Sequence, residues 1–189
     1  GVSPGQAGLL GGTALTLHGT ELNLGGPLSL TIGGVPAAIN GRTASAIQTV
    51  LPPQPQPGPR SVSLAGTFGT TMLPAGVGVL PMIEWKAPPQ PNVPFELVYH
   101  GRFGDLFLVI VGFAPSPFPI PFAPLAYGLQ IDPTVLLTSG VIGVGDPAGY
   151  AVLPLPALSG VHGWYFQAAA LTVDPSYALG AFSNLLSIQ

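Results

Sequence analysis

Glycine and proline leave this sequence almost no room for a helix. No window of 11 or more residues free of both carries an apolar repeat at helical period, and 27 Gly and 24 Pro punctuate the 189 residues. Proline inside a helix removes a hydrogen bond and clashes with the preceding turn, and glycine there costs about 1 kcal/mol. Residues 42–50 are the best candidate for even a single helical turn. Heavy Gly and Pro usage can also mark disorder, but disordered chains are rich in charge and poor in apolar residues. This chain is 47% hydrophobic and only 6% charged. Size scaling buries about 70% of its surface on folding, enough for one large or two small cores.

Strand signals fill the space that helices cannot. Thr13-Ala14-Leu15-Thr16-Leu17, Leu28-Ser29-Leu30-Thr31-Ile32 and Ser61-Val62-Ser63-Leu64 alternate polar and apolar. Such period-2 runs between turn residues read as half-buried strands. Further strands are expected over 77–86, 95–100, 106–113, 150–155, 163–173 and 181–188. Gly11-Gly12, Gly25-Gly26, Gly33-Gly34 and Asn40-Gly41 mark turns. So do Asp132-Pro133, Asp146-Pro147 and Asp174-Pro175, where Asp favours turn initiation and Pro fixes φ. Many short strands at this spacing predict an all-β protein built from β-sandwiches.

Three Pro-rich stretches interrupt the strands, at 52–59, 88–91 and 115–121. All favour extended, semi-rigid backbone. The second is the expected domain joint, dividing the chain into a sandwich at 1–87, a linker at 88–91 and a second sandwich at 92–189. The third belongs to an apolar extended loop, 115–124, that either covers a core or meets another chain, with Phe118, Ile120 and Phe122 as its contact residues.

The shortage of charge excludes several functions. Four Lys and Arg cannot form the basic stripe that neutralises nucleic-acid phosphates. Without cysteine there is no thiol nucleophile, disulfide framework, Cys-based zinc site or iron–sulfur cluster. The longest strongly apolar run, 106–114, falls short of the ~20 residues of a membrane-spanning helix. Gly1-Val2-Ser3-Pro4 lacks the basic and apolar regions of a signal peptide, as a mature chain after signal removal would. Sparse charge also leaves apolar surface, and large exposed apolar patches mark interaction sites.

Catalytic constellations do not emerge. His18, His100 and His162 lack the close ligand spacing of a metal site and read as turn or strand-end residues. Gly143-Val144-Gly145-Asp146-Pro147-Ala148 fits a dinucleotide fingerprint only formally, because Pro147 and Gly149 prevent the helix it needs. Ser159-Gly160-Val161-His162 is not a nucleophile elbow. Glu84 and Glu96 are the available carboxylate pair for glycoside chemistry, but read more simply as surface charges. Asp105, Asp132, Asp146 and Asp174 offer oxygen ligands for calcium without clustered spacing. Trp85, Tyr127 and Tyr150 are candidates for stacking on sugars, with core packing the simpler reading. On a strand, Trp164 and Phe166 face opposite to Tyr165.

The first half resembles a known family. Ser3-Pro4, Gly11-Gly12-Thr13 and Leu15-Thr16-Leu17-His18-Gly19 look like the opening of an IPT/TIG domain, an immunoglobulin-like module of receptors, transcription factors and bacterial surface proteins. Leu30-Thr31-Ile32-Gly33-Gly34-Val35-Pro36-Ala37 and Ala46-Ile47-Gln48-Thr49-Val50-Leu51-Pro52 continue the pattern. Met82-Ile83-Glu84-Trp85 with Pro88-Pro89 matches its closing strand. The resemblance implies an immunoglobulin-like fold used for spacing or binding rather than catalysis. Through Ile131-Asp132-Pro133, Leu153-Pro154-Leu155-Pro156, Trp164-Tyr165-Phe166-Gln167 and Phe182-Ser183-Asn184-Leu185, the second half resembles a C-terminal module of secreted bacterial proteins, notably of planctomycetes. That likeness implies export and a β-sandwich or jelly-roll-like fold.

These features predict a non-enzymatic, secreted or cell-surface structural protein without cofactor or metal. Its expected partners are copies of itself, in a filament, pilus-like fibre or surface layer. Terminal segments are the expected donated strands, through Gly1, Val2, Leu9 and Leu10 at one end and Phe182, Leu185 and Ile188 at the other. The alternative is an adhesin or carbohydrate-binding module.

Overall fold

The computed structural model describes all residues except 24, 68, 103, 123–124, 133–135, 145–148, 158, 160–162, 172–180 and 189. It also leaves the side chains of 122, 125–128, 136–144 and 181 outside the description. The described elements are all strands, in two compact units, Gly1–Leu80 and Pro81–Gln189.

The first unit contains β1 (Val2–Ser3), β2 (Gln6–Gly8), β3 (Ala14–His18), β4 (Ser29–Ile32), β5 (Val35–Ala37), β6 (Ile39–Arg42), β7 (Ala46–Val50), β8 (Gly58–Gly66) and β9 (Gly69–Leu80). They form one sheet of order β1-β3-β7-β6 and another of order β2-β9-β8-β4-β5. All pairs are antiparallel except β2 with β9. The first strand is thus split between the two sheets, and the rest follow the immunoglobulin order A-B-E-D against G-F-C-C′. The predicted alternation holds: Leu15, Leu17 and Ile47 on one sheet, and Leu30, Ile32, Val62, Val77 and Val79 on the other, are buried. Each contributes about 1.5–3 kcal/mol by leaving water. Gly11 and Gly12, at φ 81° and 82°, carry the chain from β2 across to β3.

Residues 42–50 hold no helical turn. They form the hairpin of β6 and β7, closed by Thr43, whose Oγ1 accepts the Ala46 N–H at 3.0 Å. Asn40-Gly41, expected as a turn, lies inside β6 at a bulge.

The second unit contains β10 (Met82–Trp85), β11 (Phe95–His100), β12 (Leu106–Gly112), β13 (Pro115–Phe122), β14 (Leu125–Ile131), β15 (Leu136–Val144), β16 (Tyr150–Leu155), β17 (Trp164–Leu171), β18 (Ala181–Phe182) and β19 (Leu186–Ile188). Sheet β10-β11-β16 packs on a larger sheet in which β15, β12 and β17 are neighbours and both β18 and β19 pair with β17. This is A-B-E against C′-C-F-G, with the hairpin β13–β14 inserted between C and C′. The core joins Ile83, Leu97, Tyr99 and Leu153 to Phe107, Val109, Phe166 and Ala168. Trp85 stands edge-on to Phe95 and Phe166 at 5.6 and 5.0 Å, contacts of about 0.5–1.5 kcal/mol each.

The expected joint at 88–91 is corrected. Met82–Trp85 does not close the first sandwich; it pairs with Phe95–His100, Ile83 opposite Tyr99. Pro88, Pro89 and Pro91 therefore lie in the connection within that β10–β11 pair. The stretch 115–122, read as a loop, is strand β13, paired with β14.

Candidate interaction surfaces

The acids and histidines singled out by sequence are mostly engaged locally. On the outer face of β10-β11-β16, Lys86 Nζ lies 2.6 Å from Glu96 Oε2, and His100 Nε2 lies 2.8 Å from Glu84 Oε1. Tyr150 stands edge-on to His100 at 5.5 Å. The Glu96 carboxylate, by hydrogen bond and charge, holds the Lys86 ammonium above its ordinary pKa. Glu96 thus faces the Lys86 ammonium and Glu84 contacts the His100 ring, both on the outer face of the sheet.

Asp105 is buried and structural. Its Oδ2 accepts the Tyr99 hydroxyl at 2.8 Å and the Arg102 backbone N–H at 2.7 Å. Tyr99 stacks on Phe107 at 4.2 Å, and burial, reinforced by Asp105, raises its phenol pKa. Asp132 donates its backbone N–H to Ala114. His18 ends β3, exchanging main-chain hydrogen bonds with Gly1. Asp146, Asp174, His162, most of the Ser159–His162 motif and the last four residues of the Gly143–Ala148 motif lie outside the described residues. Among the described residues no three His, Asp or Glu gather as metal ligands, and no helix is long and apolar enough to cross a membrane.

Aromatic candidates divide similarly. Trp85 packs against the core of the second unit, and Tyr150 lies at its surface. The side chain of Tyr127 lies outside the described residues. Phe166 faces the main core while Tyr165 packs against a second cluster of Leu129, Ile131 and Phe182.

The terminal segments occupy positions in their own chain's sheets. The Gly1 ammonium donates to the His18 carbonyl at 2.9 Å, Val2 pairs with Leu17, and Leu9 is buried while Leu10 is exposed. Phe182 and Ile188 are buried opposite Ala169 and Trp164 on β17, and Leu185 packs against the second cluster. In β13, Ile120 packs against that same cluster while Phe118 is 72% exposed; the side chain of Phe122 lies outside the described residues.

Two features of the first unit had no sequence motif to announce them. A groove of about 220 Å³ runs between the β3–β4 connection and the β8–β9 hairpin, lined by Glu21, Leu22, Leu64, Thr67, Thr70 and Thr71. Glu21 is held at φ 55°. Arg42 donates to the Leu22 and Gly26 carbonyls, and Thr67 Oγ1 donates to Gly25. These are the B–C and F–G loops of the immunoglobulin order, where variable domains place binding loops. The second feature is β9 itself. Residues 69–75 are exposed on both faces; 69–73 pair with β8, and among the described residues β2 covers only Gly78–Leu80 of the other edge.

No family model matches the chain, and no curated protein matches it. Among solved structures, the extracellular region of plexin A4 is similar over 97% of this chain, at 14% identity and a TM-score of 0.41. The adhesin InvE of Yersinia pseudotuberculosis is similar over 100% of it, at 11% and 0.35. A tandem pair of titin immunoglobulin domains is similar over 97%, covering 91% of the titin chain, at 10% and 0.32. The chain spans 16% of the plexin chain and 57% of the adhesin chain. The immunoglobulin-like assignment rests on strand order and register.

Proposed function

We propose that the chain is a non-enzymatic, exported structural protein, a tandem of immunoglobulin-like modules with an IPT/TIG-type first unit, that assembles with copies of itself. Apolar surface with little charge to keep copies apart carries this reading. Met72 and Phe118 are 60% and 72% exposed, and Leu106 and Leu171 lie directly opposite each other on neighbouring strands, both exposed. Contiguous exposed apolar groups mark protein contacts. Sedimentation across a concentration series, with negative-stain electron microscopy, tests it. Growth into dimers and larger regular species is expected; a monomer at every concentration overturns self-assembly.

The groove by Glu21, Thr70 and Thr71 favours a second reading, an adhesive module that binds a polar ligand such as a glycan through its loop end. Binding on a glycan array, lost in Glu21→Ala and Thr71→Ala, would support it. No binding by the intact chain would remove it.

A further inference from the structure

We infer that the free edge of β9 pairs with the same edge of a second copy, antiparallel, about a two-fold axis beside Thr71. This rests on the self-assembly reading and supplies its contact.

An unpaired strand edge offers a row of main-chain donors and acceptors, and the chemistry that satisfies it is another extended strand. The β8–β9 ladder closes with Gly66 opposite Gly69 and runs through Leu64–Thr71 and Val62–Leu73. In an antiparallel ladder the residues of alternate pairs turn their N–H and C=O groups away from the partner. Thr70 and Met72 are those residues here. Pro74 has the same parity and no N–H, so it ends the usable edge.

Most other edges of this chain carry the devices that natural sheets use against such pairing; β15, also at an edge, has no proline or charge but a break in register against β12. In the first unit, β1 is two residues long and runs into Pro4, β5 contains Pro36, and β6 is bulged. In the second, β13 has proline at 115, 117, 119 and 121. Proline has no N–H, so those four positions offer no main-chain donor. The β10 edge is capped at Ile83 by the Asn184 side chain, and β16 contains Pro154. Residues 69–73 of β9 have no such proline or cap, lie before the register break between Leu73 and Val77, and none of them is charged. Met72 and Leu73 leave apolar side chains exposed on its opposite faces.

The partner is a second copy because the segment is compatible with itself. Placing Thr71 opposite Thr71 of the second copy pairs Thr70 with its Met72 and Met72 with its Thr70. All four outward N–H groups then meet carbonyls. A Thr–Thr pair sits on the axis, a favourable cross-strand contact, and no like charges oppose each other.

The absence of cysteine allows a direct test. Thr71→Cys places two thiols at a non-hydrogen-bonded cross-strand pair, the closest kind, within reach of a disulfide. On mild oxidation it should give a species of twice the monomer mass, at least tenfold faster than a control thiol at exposed Ser45. Met72→Pro removes an outward donor that the β8 ladder does not use. It should weaken self-association at least tenfold while thermal unfolding and circular dichroism stay as in the parent chain. Met72→Lys gives the same reading if the proline variant misfolds. If the parent chain assembles but Thr71→Cys cross-links no faster than Ser45→Cys, or the folded Met72 variants assemble as the parent does, the β9 contact is wrong and self-assembly stands. If the parent chain stays monomeric, both fall.

Discussion

Asn184 binds the main chain of Ile83 as a neighbouring strand would. Its Oδ1 accepts the Ile83 N–H at 2.7 Å and its Nδ2 donates to the Ile83 carbonyl at 3.0 Å, across 101 residues of sequence. The carboxamide is presented where the last strand breaks between β18 and β19. Ser183 Oγ accepts the Ala168 N–H there at 2.8 Å. One side chain therefore ties the larger sheet to β10 and satisfies part of an open edge.

Asn184→Ala should lower stability by about 1–3 kcal/mol, because two partly buried main-chain groups lose their partners together. Asn184→Asp should recover little, since it keeps an acceptor for the N–H but loses the donor to the carbonyl. Urea unfolding of the two variants beside the parent chain decides this; equal midpoints would show the clamp to be idle.

The Tyr99–Asp105 contact gives the protein an alkaline limit. Burial raises the Tyr99 phenol above its ordinary value of 10.0. The folded state therefore keeps a proton that the unfolded state releases. Stability from this group is complete below about pH 10 and falls above it, by up to about 1.4 kcal/mol per pH unit. In Tyr99→Phe that alkaline slope should become shallower, at a cost of about 1–2 kcal/mol near pH 7 for the lost hydrogen bond. Urea midpoints between about pH 8 and 11.5 measure both effects.

Legibility in the sequence followed the physics of each element. Strands whose side chains alternate between water and core were readable, as at Leu15 and Leu17 or Leu30 and Ile32. Gly33 and Gly34, at φ 60° and 83°, turned the expected hairpin corner. Strands defined by pairing rather than by polar–apolar alternation were not readable. In β13 alternate prolines mimic a loop, although its partner β14 supplies the pairing. The turn around Thr43 resembled a helical turn because its hydroxyl makes a local i to i+3 bond. The joint was misplaced because proline stiffens a connection within a sandwich as readily as one between sandwiches. Nothing in the sequence shows that Asn184 meets Ile83 or that the β9 edge stays open, since both depend on register.

Gly11 tests the crossing from β2 to β3. A Cβ there would stand 2.8 Å from both the Leu51 carbonyl oxygen and the Pro53 nitrogen, in a backbone already at φ 81°. Both obstacles are main chain and cannot swing aside. Gly11→Ala should cost at least about 2 kcal/mol, more than the usual penalty of a positive φ alone. Gly12→Ala, with an equal φ and open space around it, should cost less. Thermal unfolding of the pair separates steric approach from backbone strain.

Gln167 holds the inserted hairpin to the sandwich. It is fully buried, on the face of β17 opposite Phe166 and Ala168. Its Oε1 accepts the Gln130 N–H of β14 at 2.8 Å, and its Nε2 donates to the Ser183 carbonyl at 3.0 Å. Gln167→Leu keeps the apolar stem but leaves both main-chain groups without these partners in a place water does not reach. The cost should be about 2–3 kcal/mol. Because β14 also packs through Leu129 and Ile131, the hairpin should loosen locally before the sandwich unfolds. Amide exchange at Gln130 should then accelerate far more than exchange at Val109 in the main core. Equal acceleration at both would mean that hairpin and sandwich open as one unit.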